Sequence, residues 1–450
     1  MVVMLLAIPG VGVAQEETDR IPGVTLGLTY ESRSAPALAI QPFRAAAGSE
    51  RSAGLAEAIV GRDLRYSNRF EVLNALPESM TGEGVDYAFW DQLGTVWLVT
   101  GAVEPRGEGY VLSLELHDVV YRGVRERAQL ALPADDHPDF RMAVHGASDR
   151  VVEWATGEPG MAASRILFSR VLDDGNQELF MVDSDGENFR RVTNYGSITL
   201  SPSWHPAGDR ILYTSYKAEY PRVYELNLRT GQERMVPANR PGDYITPTYH
   251  PNGQTVAFAI VGGDQAGLFT FDLDRNCCLT SLTGGRWEDL SPTYSPDGRL
   301  MAFNSNRLGV TTPQIYLMPG TGGEADLISP YVYGRGGYYT SPVWSPRSNR
   351  VAFHGRVRAG RYQILVADIE DQGRRVTQLT AEGNNEDPSW APDGRHLVFA
   401  GERSYGFGLF VVDSATGRIR TLVSGVRGRI PAWSPSLAPQ GVEALRGDDF

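Results

Sequence analysis

The residues able to do chemistry are few, and their spacing argues against most enzymes. His205 and His250 sit at equivalent places in a repeated phrase, but Ser295, Ser345, Ala391 and Ser434 take that place in its other copies. They read as turn residues and not as metal ligands. Gly401-Glu402-Arg403-Ser404-Tyr405-Gly406 is the nearest approach to a nucleophile elbow and has the wrong spacing, and no H-E-x-x-H motif occurs. Lys217 is the only lysine, the other basic residues all being arginine, so phosphate-cradling and Schiff-base chemistry lack their placed amine. Gly334-Arg335-Gly336-Gly337 follows no βαβ pattern and reads as a loop. The adjacent Cys277 and Cys278 cannot build a disulfide framework or a zinc site, and are expected as two thiols, a ring between neighbours being the alternative. Glu288, Asp289, Glu386 and Asp387 could attract a hard cation such as Ca²⁺. Solvation of a channel is the expected role, with no cofactor and no metal.

The elements that would position these groups come from a repeat. SPSWHPAGDRILYTS from Ser201 returns from Thr246, Ser291, Ser341 and Asp387, and ends as IPAWSP from Ile430. The marker aromatics Trp204, Tyr249, Tyr294, Trp344, Trp390 and Trp433 lie 43 to 50 residues apart. That period, with several short strands per unit, predicts a β-propeller. Each unit reads as an innermost strand A around the aromatic, a turn such as Pro296-Asp297-Gly298, and apolar strands B and C. A short strand D follows. Residues 164–193 look like B, C and D without A, and 430–435 like A alone. Together they complete a sixth blade and close the ring with both ends of the repeat.

Residues 24–157 predict a small α/β domain: a strand at Ala37–Pro42, a helix at Glu50–Ser67 with Leu55, Ala58, Ile59 and Tyr66 on its inner side, then four strands. A second helix, Asp139–Thr156, carries Phe140, Ala143, Val144, Ala147, Val151 and Trp154 at helical spacing, with Asp139 able to cap it. Residues 158–163 are the linker, 164–437 the six-bladed propeller and 438–450 a tail. The fold class is thus α/β plus all-β. Residues 1–14 are apolar and uncharged, too short to span a bilayer and fitted to a secretory signal without its basic leader. Residues 15–23 are expected to be a flexible tail.

Composition agrees. The chain has 450 residues, 50 glycines, 28 prolines and a formal charge of −12. Such turn formers suit many short strands, and the acidic balance argues against nucleic-acid binding.

The apolar strand ending in Gln41-Pro42-Phe43, the run Gly61-Arg62-Asp63-Leu64-Arg65-Tyr66-Ser67 before Phe70, the helix near His145, Ala147 and Asp149, and the terminal Pro431-Ala432-Trp433-Ser434-Pro435 resemble the TolB family, the periplasmic component of the bacterial Tol–Pal system. The resemblance implies a monomeric adaptor, not an enzyme. It implies that the propeller mouth binds the peptidoglycan-associated lipoprotein Pal and that the mature N-terminus binds TolA, supporting outer-membrane integrity and envelope constriction at division. The family's Pal-binding loops match Asp243, Thr246, Leu290 and Ser291. The loops from D of one blade to A of the next also carry Tyr195, Ser197, Tyr244, Glu288, Asp289, Tyr338, Tyr339, Glu386, Asp387 and Arg429. The TolA-binding tail corresponds to Gln15, Glu16, Glu17, Thr18 and Asp19. The rival reading is a secreted propeller hydrolase, a peptidase or a glycosidase, which needs a nucleophile or carboxylate pair in the channel. A binding module for a small sugar or peptide is a third.

Overall fold

The computed structural model describes residues 35–73, 84–237, 239–263, 265–309, 312–331, 337–356, 360–370 and 375–437, and the backbone of 24–26. The signal segment, the residues proposed for TolA, the Gly334–Gly336 run and the C-terminal tail lie outside the described residues.

Six four-stranded antiparallel units account for the repeat. Blade one runs through Thr199–Trp204, Arg210–Ala218, Tyr220–Asn227 and Glu233–Met235. Blades two to five begin at Asp243, Asp289, Tyr339 and Asn384 in the same order. The sixth is composite: Gly428–Trp433 pairs antiparallel with Arg165–Val171, which is followed outward by Gln177–Asp183 and Arg190–Arg191. The innermost strands contact each other in sequence around the axis, the last touching the first. Trp433 Nε1 donates to Ser164 Oγ at 2.7 Å and Trp204 Nε1 to Ala432 O at 2.9 Å, so the marker indoles fasten the joint.

Every innermost strand contains one left-handed residue. Ser201, Thr246, Ser291, Ser341, Asp387 and Ile430 have φ between 49° and 55°, and each precedes a proline. Proline offers no N–H to the ladder and pushes its predecessor out of the right-handed helical region. The chain answers with a bulge: pairing skips from Leu200 to Ser203, Ile245 to Thr248 and Leu290 to Thr293, and likewise in the other blades.

The turn from A to B explains the histidines. His205 Nδ1 accepts from Ala207 N at 3.1 Å and His250 Nδ1 from Asn252 N at 3.1 Å, while His205 Nε2 reaches Gly253 O of the next blade at 3.1 Å. Each ring also lies edge-on to the marker aromatic of the following blade, Tyr249 or Tyr294. These are turn and inter-blade residues, as their spacing predicts.

In the α/β domain the sheet order is Glu71–Val72, Ala37–Ile40, Trp97–Arg106, Gly109–Asp118 and Gly123–Leu132, the first three parallel. Helices α1 (Glu50–Tyr66) and α3 (Phe140–Thr156) pack together and against this sheet. A short helix between them, α2 (Tyr87–Gln92), adds to the two that the sequence predicts; Asp86 caps it by accepting from Ala88 and Phe89 N–H. Three expectations are corrected. The buried stripe of α1 is Ala53, Ala56, Ile59, Val60 and Leu64, while Leu55 and Ala58 face outward, because the helix is rotated so that Asp63 also points inward. Asp139 stands at the N-cap of α3 but makes no side-chain cap bond. Cys277 and Cys278 are joined as a disulfide. Regular alternation would send neighbouring side chains to opposite faces, but Asn276 and Cys278 have φ of 53° and 69° and the pairing skips between Thr270 and Asp272. That bulge turns both sulfurs to one side.

The strand Val24–Leu26, counted with the α/β domain in the sequence, pairs in parallel with Val376–Gln378 as a fifth strand on the outer edge of blade four.

Candidate functional site, the propeller mouth

The loops from D to A and the B–C hairpins emerge on one face, and the A–B turns on the other. The second face is the covered one. A cleft of about 750 Å³ there is walled by Ala143, Gly146, Ala147 and Arg150 of α3 and by Trp344, Trp390 and Trp433. Asp149 fixes the linker against it, its two oxygens accepting from Ala162 N at 2.8 Å and Ala163 N at 2.9 Å. The D–A mouth lies opposite.

The structure brings the sequence-predicted mouth residues into this face in two layers. Asp243, Thr246, Leu290, Ser291, Tyr338 and Glu386 are half-buried and Glu288 is exposed. Tyr244, Asp289, Tyr339 and Asp387 are buried beneath them. Tyr244 stacks on Phe258, its hydroxyl donates to Arg240 O at 3.0 Å and accepts from Arg240 N at 3.1 Å, and it thereby pins its own loop. Asp289 accepts from Arg307 Nη2 at 2.9 Å, and that guanidinium lies over Phe303 and Tyr316. Thr246 Oγ1 accepts from Ser291 N at 3.2 Å, joining two innermost strands.

Asp387 is the hub of the far side. Its Oδ2 accepts from Arg429 Nε at 3.0 Å and Ile430 N at 3.2 Å, and its Oδ1 from Ser341 Oγ at 3.3 Å. Its own N–H donates to His354 Nδ1 at 3.0 Å. That bond needs a bare Nδ1, so His354 is neutral, and burial pushes its pKa down to about 4. Arg429 Nη2 also donates to Glu386 at 3.0 Å. The carboxylates considered for a hard cation do not fit one well: Asp289, Asp387 and Glu386 already hold guanidinium groups, and a cation would have to displace them.

Sequence reasoning missed the B–C hairpins. They present Tyr216 and Tyr220, Leu308, and Tyr405 and Phe407, all exposed, on the same face. The signal was available: the Ser404-Tyr405-Gly406 phrase, weighed only as a failed nucleophile elbow, is the tip between His396–Arg403 and Gly406–Asp413. A notch of about 230 Å³ lies beside it, lined among others by Phe407, Arg427, Arg429, Asn384 and Glu386. The single lysine was also unplaced by the sequence. Lys217 Nζ lies 3.7 Å from the ring centre of Tyr195 and 4.0 Å from that of Tyr224, and pairs with Glu233 at 2.5 Å, while the Tyr195 and Tyr213 hydroxyls donate to the same carboxylate. Tyr195 is therefore committed to an internal cation–π cage.

What the face offers is tyrosine and small polar groups above a rigid, charge-paired floor, an arrangement suited to holding another surface.

Comparison with known proteins agrees with the architecture. A family model described as "TolB beta propeller domain" matches residues 152–437, and one described as "TolB amino-terminal domain" matches 24–123. The Tol-Pal system protein TolB of Gluconobacter oxydans is 28% identical over 96% of this chain and 93% of its own length. That of Jannaschia sp. is 33% identical over 44% of this chain and 46% of its own, and that of Methylococcus capsulatus 33% identical over 41% and 44%. The chain thus matches less than half the length of those two relatives. The crystal structure of TolB from Acinetobacter baumannii superposes with a TM-score of 0.76 at 25% identity, covering 89% of this chain and 97% of that one. With a split six-bladed ring, an α/β domain over one mouth and both family matches, this chain belongs to the TolB family, a component of the Tol–Pal system.

Proposed function

We propose that the chain is a non-enzymatic periplasmic adaptor that docks the lipoprotein Pal on its open D–A mouth and engages TolA through residues 15–19. The observation that carries this reading is the asymmetry of the ring. The α/β domain covers one mouth, while among the described residues the other presents Tyr220, Tyr338, Tyr405 and Phe407 around a floor of paired charges. Binding energy then comes from a few aromatic anchors around Asp243, Thr246, Leu290 and Ser291. The hydrolase alternative needs carboxylates or a nucleophile poised for chemistry; pairing of Asp289, Asp387 and Glu386 with arginine argues for the adaptor. The placement of Val24–Leu26 on the outer edge of blade four supports the second contact, because the first described strand after residues 15–19 lies on the propeller surface.

The test is calorimetric titration of the mature protein with purified Pal. Leu290→Arg combined with Asp243→Arg is expected to weaken binding at least roughly thirtyfold, the scale of a lost hot spot, without changing the melting temperature. Unchanged affinity would refute the proposed face. Deletion of residues 15–19 is expected to abolish capture of TolA and leave Pal binding intact.

A further inference from the structure

Arg62 and Asp63 on α1 and His145 on α3, all in the family-like motifs, meet the composite blade at a buried junction for which the mouth has no use. His145 is fully buried. Its Nδ1 lies 2.8 Å from Asp63 Oδ2, which also accepts from Ser148 Oγ at 2.6 Å. A carboxylate accepts only, so Nδ1 carries the proton. The other ring nitrogen, Nε2, is buried and has no hydrogen-bond partner. Asp185, on the propeller turn after Gln177–Asp183, brings a carboxylate oxygen into this group; ligand atoms of Asp63, His145 and Asp185 all lie within 4.8 Å of one another.

The charges around the ring are specific to each element. From α1, Arg62 Nη1 donates to Asp185 at 3.0 Å and to Glu187 at 3.0 Å. From α3, Arg141 Nη2 donates to Asp185 at 2.5 Å and its Nε to Asp183 at 3.5 Å, and Asp149 lies one turn beyond His145. From the composite blade, Arg165 Nε holds Asp183 at 3.1 Å. From blade five, half-buried Arg420 sits 4.2 Å over the Tyr66 ring and donates to Ser184 O at 2.7 Å, its buried Nε and Nη1 without hydrogen-bond partners. A metal ion at this point would face the guanidiniums of Arg62, Arg141 and Arg420, so the cluster is an ion-pair network.

We propose that His145 is a proton-operated latch between the α/β domain and the propeller. With both nitrogens protonated, the ring is a cation bonded to Asp63 of its own domain and with a nitrogen within 4.8 Å of a carboxylate oxygen of Asp185 of the propeller. Losing the Nε2 proton removes the ring's own attraction to Asp185, leaving the Asp63 bond within the domain and the Arg62 and Arg141 ion pairs across the junction. Burial alone would depress this histidine, but Asp63, with Asp185 and Asp183, holds it above the ordinary histidine value. The sign follows: the latch is fully set below that ordinary value and is lost as pH rises through the raised one.

The experiment uses the mature full chain. The His145 Cε1–H resonance is followed by NMR from pH 5 to 9.5, in wild type and in Asp185→Asn. Hydrogen exchange of α3 and of residues 183–187, corrected for intrinsic rate, is measured over the same range in wild type and His145→Gln. The expected results are a His145 midpoint above that of a free histidine, lowered in Asp185→Asn, and junction protection that falls as the resonance titrates. The fall is about tenfold for a midpoint that stands about one pH unit above the free value. His145→Gln is expected to lose this part of the pH dependence and to keep only that of buried Asp149, whose carboxyl burial raises to about 7. A midpoint at or below the ordinary value, one that ignores Asp185→Asn, or junction protection flat with pH in the wild type would overturn the latch. If His145→Gln does not fold, the wild-type and Asp185→Asn resonances decide.

Discussion

The His250 imidazole fills the space that a Cβ on Gly298, in the next blade's turn, would require. Gly298 also has a φ of 71°. The same pairing joins His205 to Gly253, and where serine replaces the histidine, Ser345 faces Gly394. Gly298→Ala is therefore expected to cost about 2–3 kcal/mol, from left-handed strain and the clash together. Adding His250→Ser should recover the steric share and leave the backbone share. A double-mutant cycle by urea unfolding measures both, and additive effects would deny the contact.

Ser164 and Trp433 are joined at the ring closure by one hydrogen bond in a buried setting. Ser164→Ala leaves the indole N–H unsatisfied and is expected to cost about 1–3 kcal/mol. Removing residues 428–437 exposes the edge of Arg165–Val171 and should abolish the cooperative transition of the propeller. Differential scanning calorimetry of the two variants separates a weakened joint from an open ring.

His354 gives the mouth an acid limit. Its folded pKa of about 4 lies below the ordinary value of 6.5, so its contribution is present above 6.5 and is lost as pH falls toward 4. The full loss amounts to roughly 3 kcal/mol. Stability measured between pH 7 and 4 should fall less steeply in His354→Asn, which retains an acceptor but does not titrate. Equal slopes would show that His354 charges freely.

Arg307 neutralises buried Asp289 beneath the mouth. Arg307→Met strands that carboxylate and is expected to cost about 3–5 kcal/mol, whereas Arg307→Met with Asp289→Asn should recover most of it. Denaturant unfolding of the three proteins tests the pair.

Tyr220 and Tyr405 are exposed, the Arg222 guanidinium lying 5.9 Å from the Tyr220 ring centre. Their alanine variants are expected to keep the melting temperature and lower affinity for Pal. A fall in both would make them structural.

The blades were legible because strong local signals repeat: a turn set by Pro-Asp-Gly, an aromatic before it, and apolar alternation after it. The missing A strand before Ser164 and the extra one at Gly428–Trp433 revealed the closure for the same reason. The phase of α1 was not legible, since Leu55 and Ala58 make as good an apolar stripe as Ala56 and Val60. Only the burial of Asp63 against His145 decides between them. The mouth residues could be placed by repeat position, but not sorted into floor and surface. That depends on partners such as Arg307 and Arg429, which lie 18 and 42 residues away. The cysteine pair depended on a bulge that neither residue announces.

The strand that completes the composite blade is the last of the described strands to be synthesised. Until Gly428–Trp433 exists, Arg165–Val171 lacks the inner neighbour with which it pairs in the finished ring. The native joint of the ring therefore forms only after the chain has been made through Trp433.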